Sequence, residues 1–385
     1  MTRAFYHPLV RAVLRASRRG LKNVRVFFSP CQLSVADTID NAKATKTMPK
    51  SISISNRRYL GNKYKLLNFI QEVVDNYCND INVFADLFAG TGSVAFGFRD
   101  DKTIITNDIL YSNYICNLAW FGTENFRQEV LEQMIDRYNA ANPTHANYMS
   151  LHFADTYFSK SDCKKIGYIR EDIERNYKAG NINARERAIL ISSLLYAMDR
   201  VAKTCGHYDA FIQNATFDEH LELGMPTVSN GNAPNNQCFN EDINQLAKRI
   251  HADLVYLDPP YNSRQYCDAY HLLENVARWK KPRVYGVARK MDRSQLKSDY
   301  CTRSAAIAFD DLVKSLDTRY ILLSYNNMST KGDDRSNARI SDDDIMRILS
   351  AKGNVQVFSQ DYKAFSAGKS DISDNQERLF LCTCR

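Results

Sequence analysis

Short apolar runs bounded by turn residues recur along the chain, and between them lie stretches whose apolar positions repeat at helical spacing. The runs Val83 to Phe88, Thr103 to Thr106, Leu254 to Leu257, Tyr320 to Ser324, Val355 to Ser359 and Leu379 to Thr383 predict strands. Helical patterns cover Glu124 to Tyr138 and Arg185 to Ala202. The second is almost continuously apolar through Ile189, Leu190, Ile191, Leu194 and Leu195, as a buried helix would be. Ser341-Asp342-Asp343-Asp344 carries a capping-box signature and opens a further helix through Ile345 to Leu349. Strands alternating with helices predict an α/β fold around an open, mostly parallel sheet. The interval from Asp108 to Leu254 is too long for one crossover. Residues 111–237 therefore read as an inserted, largely helical region that ends in the polar, turn-rich stretch Gly224 to Gln237. Residues 51–110 and 238–385 form the sheet-bearing body.

The 385 residues, 44% of them hydrophobic, suffice for one large core with an insertion. A net charge of +7 points to nucleic acid only until it is located. Arg3, Arg11, Arg15, Arg18, Arg19, Lys22 and Arg25 place seven positive charges within residues 1–36, where no acid occurs; 51 basic residues less those seven leave 44, against 44 acidic ones. The body is formally neutral, so attraction to DNA has to arise from local patches. Residues 1–50 read as a basic N-terminal extension that the catalytic body does not need; an organelle transit peptide is the alternative. Ten scattered cysteines suggest neither a zinc site nor a disulfide framework and point to a reducing cytoplasm. No uncharged apolar stretch approaches the about 20 residues needed to cross a bilayer, so no membrane partner is expected.

The richest local chemistry follows the Leu254 strand, at Asp258-Pro259-Pro260-Tyr261. Two prolines fix φ and lack N–H groups, so the backbone leaves the ladder with carbonyls available as acceptors. An amino group giving one hydrogen to the Asp258 carboxylate and the other to the Pro259 carbonyl would have its lone pair aimed at an incoming methyl, while Tyr261 stacks on the base. An ordinary strand-to-loop turn uses the same residue types. Earlier in the chain, Gly90-Thr91-Gly92-Ser93-Val94-Ala95 fits a dinucleotide-binding turn, with Asp108 near the spacing of about 20 residues expected of a ribose acid. That turn suits a nicotinamide dinucleotide and S-adenosylmethionine equally. Asp86 favours the latter, since a carboxylate there accepts from a positively charged α-amino group and repels a pyrophosphate.

In their order these motifs resemble the Dam-like class of DNA N6-adenine methyltransferases, especially those of type II restriction-modification systems, over roughly Asn56 to Arg385. Arg58-Tyr59-Leu60-Gly61-Asn62-Lys63 resembles the family's opening motif and implies cofactor contacts by Tyr59 and Lys63, although Asn62 stands where relatives often have glycine. Asp86-Leu87-Phe88-Ala89-Gly90-Thr91-Gly92 resembles the glycine loop, implying Asp86, Phe88, Gly90 and Gly92 as cofactor residues beside the ribose acid Asp108. Phe239-Asn240-Glu241-Asp242-Ile243 resembles the segment that meets the cofactor's adenine, with Asp242 accepting from its amino group and Ile243 alongside. Asp258 to Tyr261 resembles the catalytic motif, which sets Asp258 against the cofactor as well, and Ser324-Tyr325-Asn326 resembles a later one. The resemblance implies a Rossmann-like S-adenosylmethionine-dependent methyltransferase fold with a mixed, mostly parallel sheet, and target recognition by residues 111–237.

The implied reaction is direct methyl transfer to N6 of an adenine flipped out of double-stranded DNA, with no metal and no covalent enzyme intermediate. No cysteine stands in the motif to serve cytosine C5 chemistry. The implied partners are double-stranded DNA and a companion restriction endonuclease, for a cytoplasmic monomer. Lys203 to Ala210 resembles, by position, a family loop lying against DNA, which implies contacts by Lys203, His207 and Tyr208. Arg264, with Gln265 and Tyr266, either closes over the substrate or packs the helix beginning near Tyr270. The charged stretch Lys290 to Lys297 reads as a solvated face. Competing readings are another amine acceptor (cytosine N4, RNA adenine or protein glutamine) and a non-catalytic DNA-binding regulator.

Overall fold

A computed structural model describes residues 51–217, 220–326, 338–361 and 376–385; the basic extension, residues 1–50, lies outside them. Among the described residues the strands are β1 (Ser51–Ile52), β2 (Val83–Asp86), β3 (Thr103–Asn107), β4 (Met225–Pro226), β5 (Gln237–Phe239), β6 (His251–Leu257), β7 (Asp317–Asn326), β8 (Gly353–Asp361) and β9 (Gln376–Cys384). Seven of them form one sheet in the order β5-β3-β2-β6-β7-β9-β8. Neighbours from β5 to β7 are parallel, whereas β9 runs antiparallel to both β7 and β8. This is the mixed, mostly parallel sheet expected, and all six predicted strands belong to it.

The continuous apolar run of β6 reflects its place at the middle of the sheet, where both faces are covered. Its alternating side chains serve two cores. Leu254 and Tyr256 join Phe84 and Leu322 on one face, while Val255 and Leu257 join Ala85 and Ile321 on the other. The first core continues without a break into the helices Tyr111–Phe121, Gln128–Ala140, Lys160–Lys178 and Ala184–Val201, so the inserted region shares its apolar interior with the sheet. One expectation needs correcting. Gly224 to Gln237 is not wholly surface turn: it contains β4, with Met225 buried, which pairs with β1 and is extended by a Thr227 N–H bond to the Ile52 carbonyl at 2.8 Å.

The chain moves outward from β2 to β3 and later returns through β6 on the other side of β2, so the strand order reverses between β2 and β6. A crevice at the carboxyl ends of the strands is the usual consequence. Asp86, Asn107-Asp108, Leu257-Asp258 and Ser324-Tyr325-Asn326 all stand at that edge.

Arg170, in the helix Lys160–Lys178, fastens the insertion to the helix His271–Arg278. Its side chain is fully buried and donates to the carbonyls of Val276 at 2.8 Å and Ala277 at 3.2 Å and to Glu174 at 2.8 Å. Those carbonyls close the helix His271–Arg278, where a cation also meets the negative end of the helix dipole. Arg170→Ala should lower the unfolding free energy by about 3 kcal/mol, as loss of one partner from a buried pair does. The measurement is the urea midpoint, with an unchanged m value marking a pure stability effect.

Candidate active site

After β2 the backbone turns through Gly90 and Gly92, both at positive φ (51° and 77°). A Cβ at Gly92 would lie 2.4 Å from Asn117 Oδ1, so side chains other than hydrogen are excluded by contact as well as by conformation. Asp108 pins the turn. Its Oδ2 accepts from the Gly90 N–H at 2.9 Å and from Asn113 Nδ2 at 3.0 Å, and its Oδ1 accepts from the Leu110 N–H at 2.8 Å. Tyr59 lies over the turn, stacked on Tyr270 at 4.5 Å, and its hydroxyl accepts from Asn113 at 2.9 Å. Asn62, the departure from the family pattern, caps a short helical turn by accepting from the Tyr64 N–H at 3.0 Å and so directs Lys63 inward.

A cavity of about 730 Å³ runs along this edge. Tyr59, Lys63, Asp86, Phe88, Gly90, Asp108, Asp242, Ile243 and Asp258 line it, while Gly92 lies outside the lining. Asp242 is also the N-cap of the helix Ile243–Leu246, accepting from the Gln245 N–H at 3.1 Å. Seven acidic residues and two lysines face the cavity. Asp86 is the most deprived of them. It is 1% exposed, its Oδ1 has no hydrogen-bond partner among the described residues, and burial followed by the nearby charge of Asp258 pushes it up to about 8. Burial also pushes Asp108 up to about 6, against the three N–H groups that hold it. Such walls suit a cationic adenosine ligand and oppose a pyrophosphate, which separates the two readings of the glycine turn.

At the end of β6 the Asp258 carboxylate holds the Lys63 ammonium with both oxygens at 2.9 Å, and its Oδ1 accepts from the Tyr261 hydroxyl at 2.7 Å. The same hydroxyl lies 2.6 Å from Glu377 Oε1, which also accepts from Ser324 Oγ at 2.7 Å and faces Lys63 at 3.6 Å. One hydroxyl hydrogen serves one carboxyl at a time. Burial raises Asp258 above the usual carboxylate range; Lys63 opposes that shift and Glu377 adds to it. Beyond Asp258 opens a second cavity, of about 570 Å³, lined by Pro259, Tyr261, Arg264 and Asp209 among others. Lys63, Asp258 and Tyr266 face both cavities. Among the described residues nothing donates to the Pro259 carbonyl.

The loop expected at DNA meets the rim of this second cavity through Asp209. Lys203 and His207 are half-buried on it, and Arg264 is exposed on the turn that follows β6. Burial, then the positive charge of Arg264, lower the His207 pKa. Tyr208 departs from its expected place. It is 2% exposed and its hydroxyl donates to Asp199 at 2.8 Å, so it cannot present an edge to DNA. Gln265 is tied to Ser298 by donating at 3.0 Å and accepting at 2.8 Å, and Tyr266 packs on Tyr59 at 5.5 Å. Lys290 and Arg293 are not a solvated face either: they pair with Asp209 and Asp268, each at 2.6 Å. Three participants were not anticipated: Glu377, Asn113 and Tyr300, which meets Phe88 edge-on at 5.0 Å.

The family profile of the D12 class N6 adenine-specific DNA methyltransferases matches residues 59–334. Modification methylase StsI of Streptococcus sanguinis is 35% identical over 350 residues, covering 83% of this chain and 50% of its own length. Modification methylase LlaI of Lactococcus lactis subsp. lactis is 31% identical over 344 residues, covering 84% of this chain and 53% of its own length. Type II methyltransferase M.NlaIII of Neisseria lactamica is 31% identical over 329 residues, covering 81% of this chain and 93% of its own length. The chain thus spans about half the length of the first two relatives and nearly all of the third.

Proposed function

This chain belongs to the D12 class N6 adenine-specific DNA methyltransferases, and from that premise we propose that it methylates N6 of an adenine flipped out of double-stranded DNA, using S-adenosylmethionine, as the modification enzyme of a restriction-modification system with a companion endonuclease. One observation carries the reading: Asp258 is a wall shared by two cavities, an acid-lined one beside the glycine turn and a second one opening toward the loop at residues 203–210. The unpartnered oxygen of Asp86 would take the donor's ammonium, with Tyr59, Phe88 and Ile243 against its adenosine and Asp108 and Asp242 at its polar edges. When bound, the donor supplies a sulfonium methyl open to attack by a neutral amine.

Asp258 and the Pro259 carbonyl would accept the two hydrogens of the target amine. Lys63 now holds that seat and has to yield it, and Glu377, 3.6 Å away, offers the ammonium a second carboxylate. In transfer the N–C bond would form as the C–S bond breaks with sulfur keeping the electron pair, and Asp258, which the Tyr261 hydroxyl links to Glu377, would take the proton shed by the amine. Lys203, His207 and Arg264 stay as the DNA-facing set, and residues 111–237 as the target-recognition region. Nine unpaired cysteines among the described residues support a reducing cytoplasm. No helix among the described residues is long and apolar enough to cross a membrane.

Incubation of the purified chain with tritiated donor and DNA from a methylation-free host should place label in N6-methyladenine. Label confined to N4-methylcytosine, transfer to RNA alone, or no transfer would overturn the reading. Asp258→Ala should cost about 10³-fold in turnover, as loss of one transition-state hydrogen-bonding partner does, while donor binding survives. Donor affinity should rise as pH increases toward about 8, because Asp86 ionises only there, and Asp86→Asn should flatten that dependence. Glu377→Gln should lower kcat more than it changes KM and displace the acid limb of the pH–rate profile; an unchanged profile would leave Glu377 a structural group only.

A further inference from the structure

A basic hairpin after the catalytic turn has no role in the chemistry above. Between Lys280 and Lys290 the chain carries five basic residues and no acidic one. Tyr285 and Lys290 pair antiparallel through bonds of 2.8 and 2.9 Å, and the chain reverses with Gly286 and Arg289 at positive φ (67° and 51°). A tight reversal of this kind exposes its central side chains. Val287 is 78% exposed, the most exposed large apolar side chain among the described residues, and Tyr285 is 56% exposed. Arg283 lies over the Tyr285 ring at 5.2 Å. Lys281 pairs with Glu171, but Lys280, Arg283 and Arg289 meet no carboxylate among the described residues.

The hairpin is held at two points, one within its turn and one at its closing pair. Tyr157 donates to the Ala288 carbonyl at 3.0 Å, and Lys290 reaches Asp209 at 2.6 Å. Asp209 lines the cavity beyond Asp258, so the hairpin is anchored at the rim through which a base would enter. Uncompensated cations around an exposed aromatic and an exposed aliphatic tip match duplex nucleic acid: guanidinium groups for phosphates and an apolar wedge for base steps. A solvated charged face would carry no such tip, and an apolar protein partner would not call for unpaired arginines.

We propose that the hairpin at residues 283–290 is a duplex-DNA contact, with Arg283 and Arg289 on phosphates beside the target and Tyr285 and Val287 against the bases. The proposal rests on the DNA-methylating reading and extends it to an element outside the loop at residues 203–210. The test compares wild type with Arg283→Ala/Arg289→Ala and with Tyr285→Ser/Val287→Ser, all exposed positions whose folding is checked by thermal midpoint. Binding to a short duplex is measured across a salt series, methyl transfer on plasmid DNA from a methylation-free host, and donor affinity separately. The arginine pair should make the slope of log K against log salt shallower by about 2, one per phosphate contact. The tip pair should lower transfer about tenfold or more, on the scale of about 1 to 3 kcal/mol per lost base–aromatic contact, with donor affinity unchanged. Wild-type transfer to DNA with neither variant altered overturns the hairpin assignment alone. Tighter binding of the hairpin to single-stranded RNA than to the duplex, seen as loss of RNA binding in the arginine pair, also overturns it. No wild-type transfer to or binding of DNA overturns the parent reading with it.

Discussion

A carboxylate at the carboxyl end of a buried central strand loses water as its partner, and the site is organised by how each such group is compensated. Asp258 is given an internal cation, the Lys63 ammonium, and an internal donor, the Tyr261 hydroxyl. Asp86, one strand away and almost without exposure, has an oxygen with no hydrogen-bond partner among the described residues. Burial of an ionic group costs several kcal/mol and favours its neutral form, which is the sense of the raised pKa, against the opposing Ala95 N–H and Lys63 charge. The two acids are therefore unlike. Asp258 already holds a nitrogen that a ligand nitrogen could replace, whereas Asp86 has an unfilled demand for positive charge.

Replacing the Lys63 ammonium by a neutral amine weakens the attraction at Asp258, so the ammonium needs another anion within reach. Glu377 provides one from the antiparallel strand β9, without a new charge entering from outside. Flipping a base costs a few kcal/mol, and stacking on an aromatic face returns about 1 to 3. For the proposed DNA substrate little is then left over for affinity, which would have to come from phosphates. Because the body beyond the basic extension is formally neutral, those contacts depend on where cations are clustered and not on how many there are. Arg264, which lines the second cavity, and Arg283 and Arg289 of the hairpin, which meet no carboxylate among the described residues, are the cations proposed for them.

Much of this was legible in the sequence because parallel sheets place their functional residues where apolar runs stop. The end of each run marks a strand's carboxyl edge, so Asp86, Asp108 and Asp258 were locatable without coordinates. Glu377 was not: it enters from an antiparallel strand 119 residues after Asp258 in sequence, in the polar stretch Gln376-Glu377-Arg378 just ahead of the apolar run Leu379 to Thr383. Tyr208 was misplaced because its burial depends on Asp199, nine positions earlier on a helix whose polar residues gave no sign of a partner. Lys290 and Arg293 were misjudged for the same reason, since their acids, Asp209 and Asp268, come from two other segments. Local pattern reveals a strand end. It does not reveal which distant side chain compensates a charge there.

The misplacement of Tyr208 is informative about the machine as a whole. Its hydroxyl binds Asp199, Asp199 faces the buried Arg57 at 3.6 Å, Arg57 donates to Asn113 at 2.8 Å, and Asn113 donates to Asp108, which holds the glycine turn. The backbone N–H of Tyr208 also bonds the Ala269 carbonyl at 2.7 Å, in the short helix that follows the catalytic turn. A continuous buried polar network thus runs from the cofactor-side turn to the loop at residues 203–210, and its groups have no water to fall back on if it breaks. Rigidity is the consequence with functional weight. The proposed in-line transfer would need nucleophile and methyl aligned to within a fraction of an ångström, and Tyr208 ties the loop at residues 203–210 to both Asp199 and the Ala269 carbonyl.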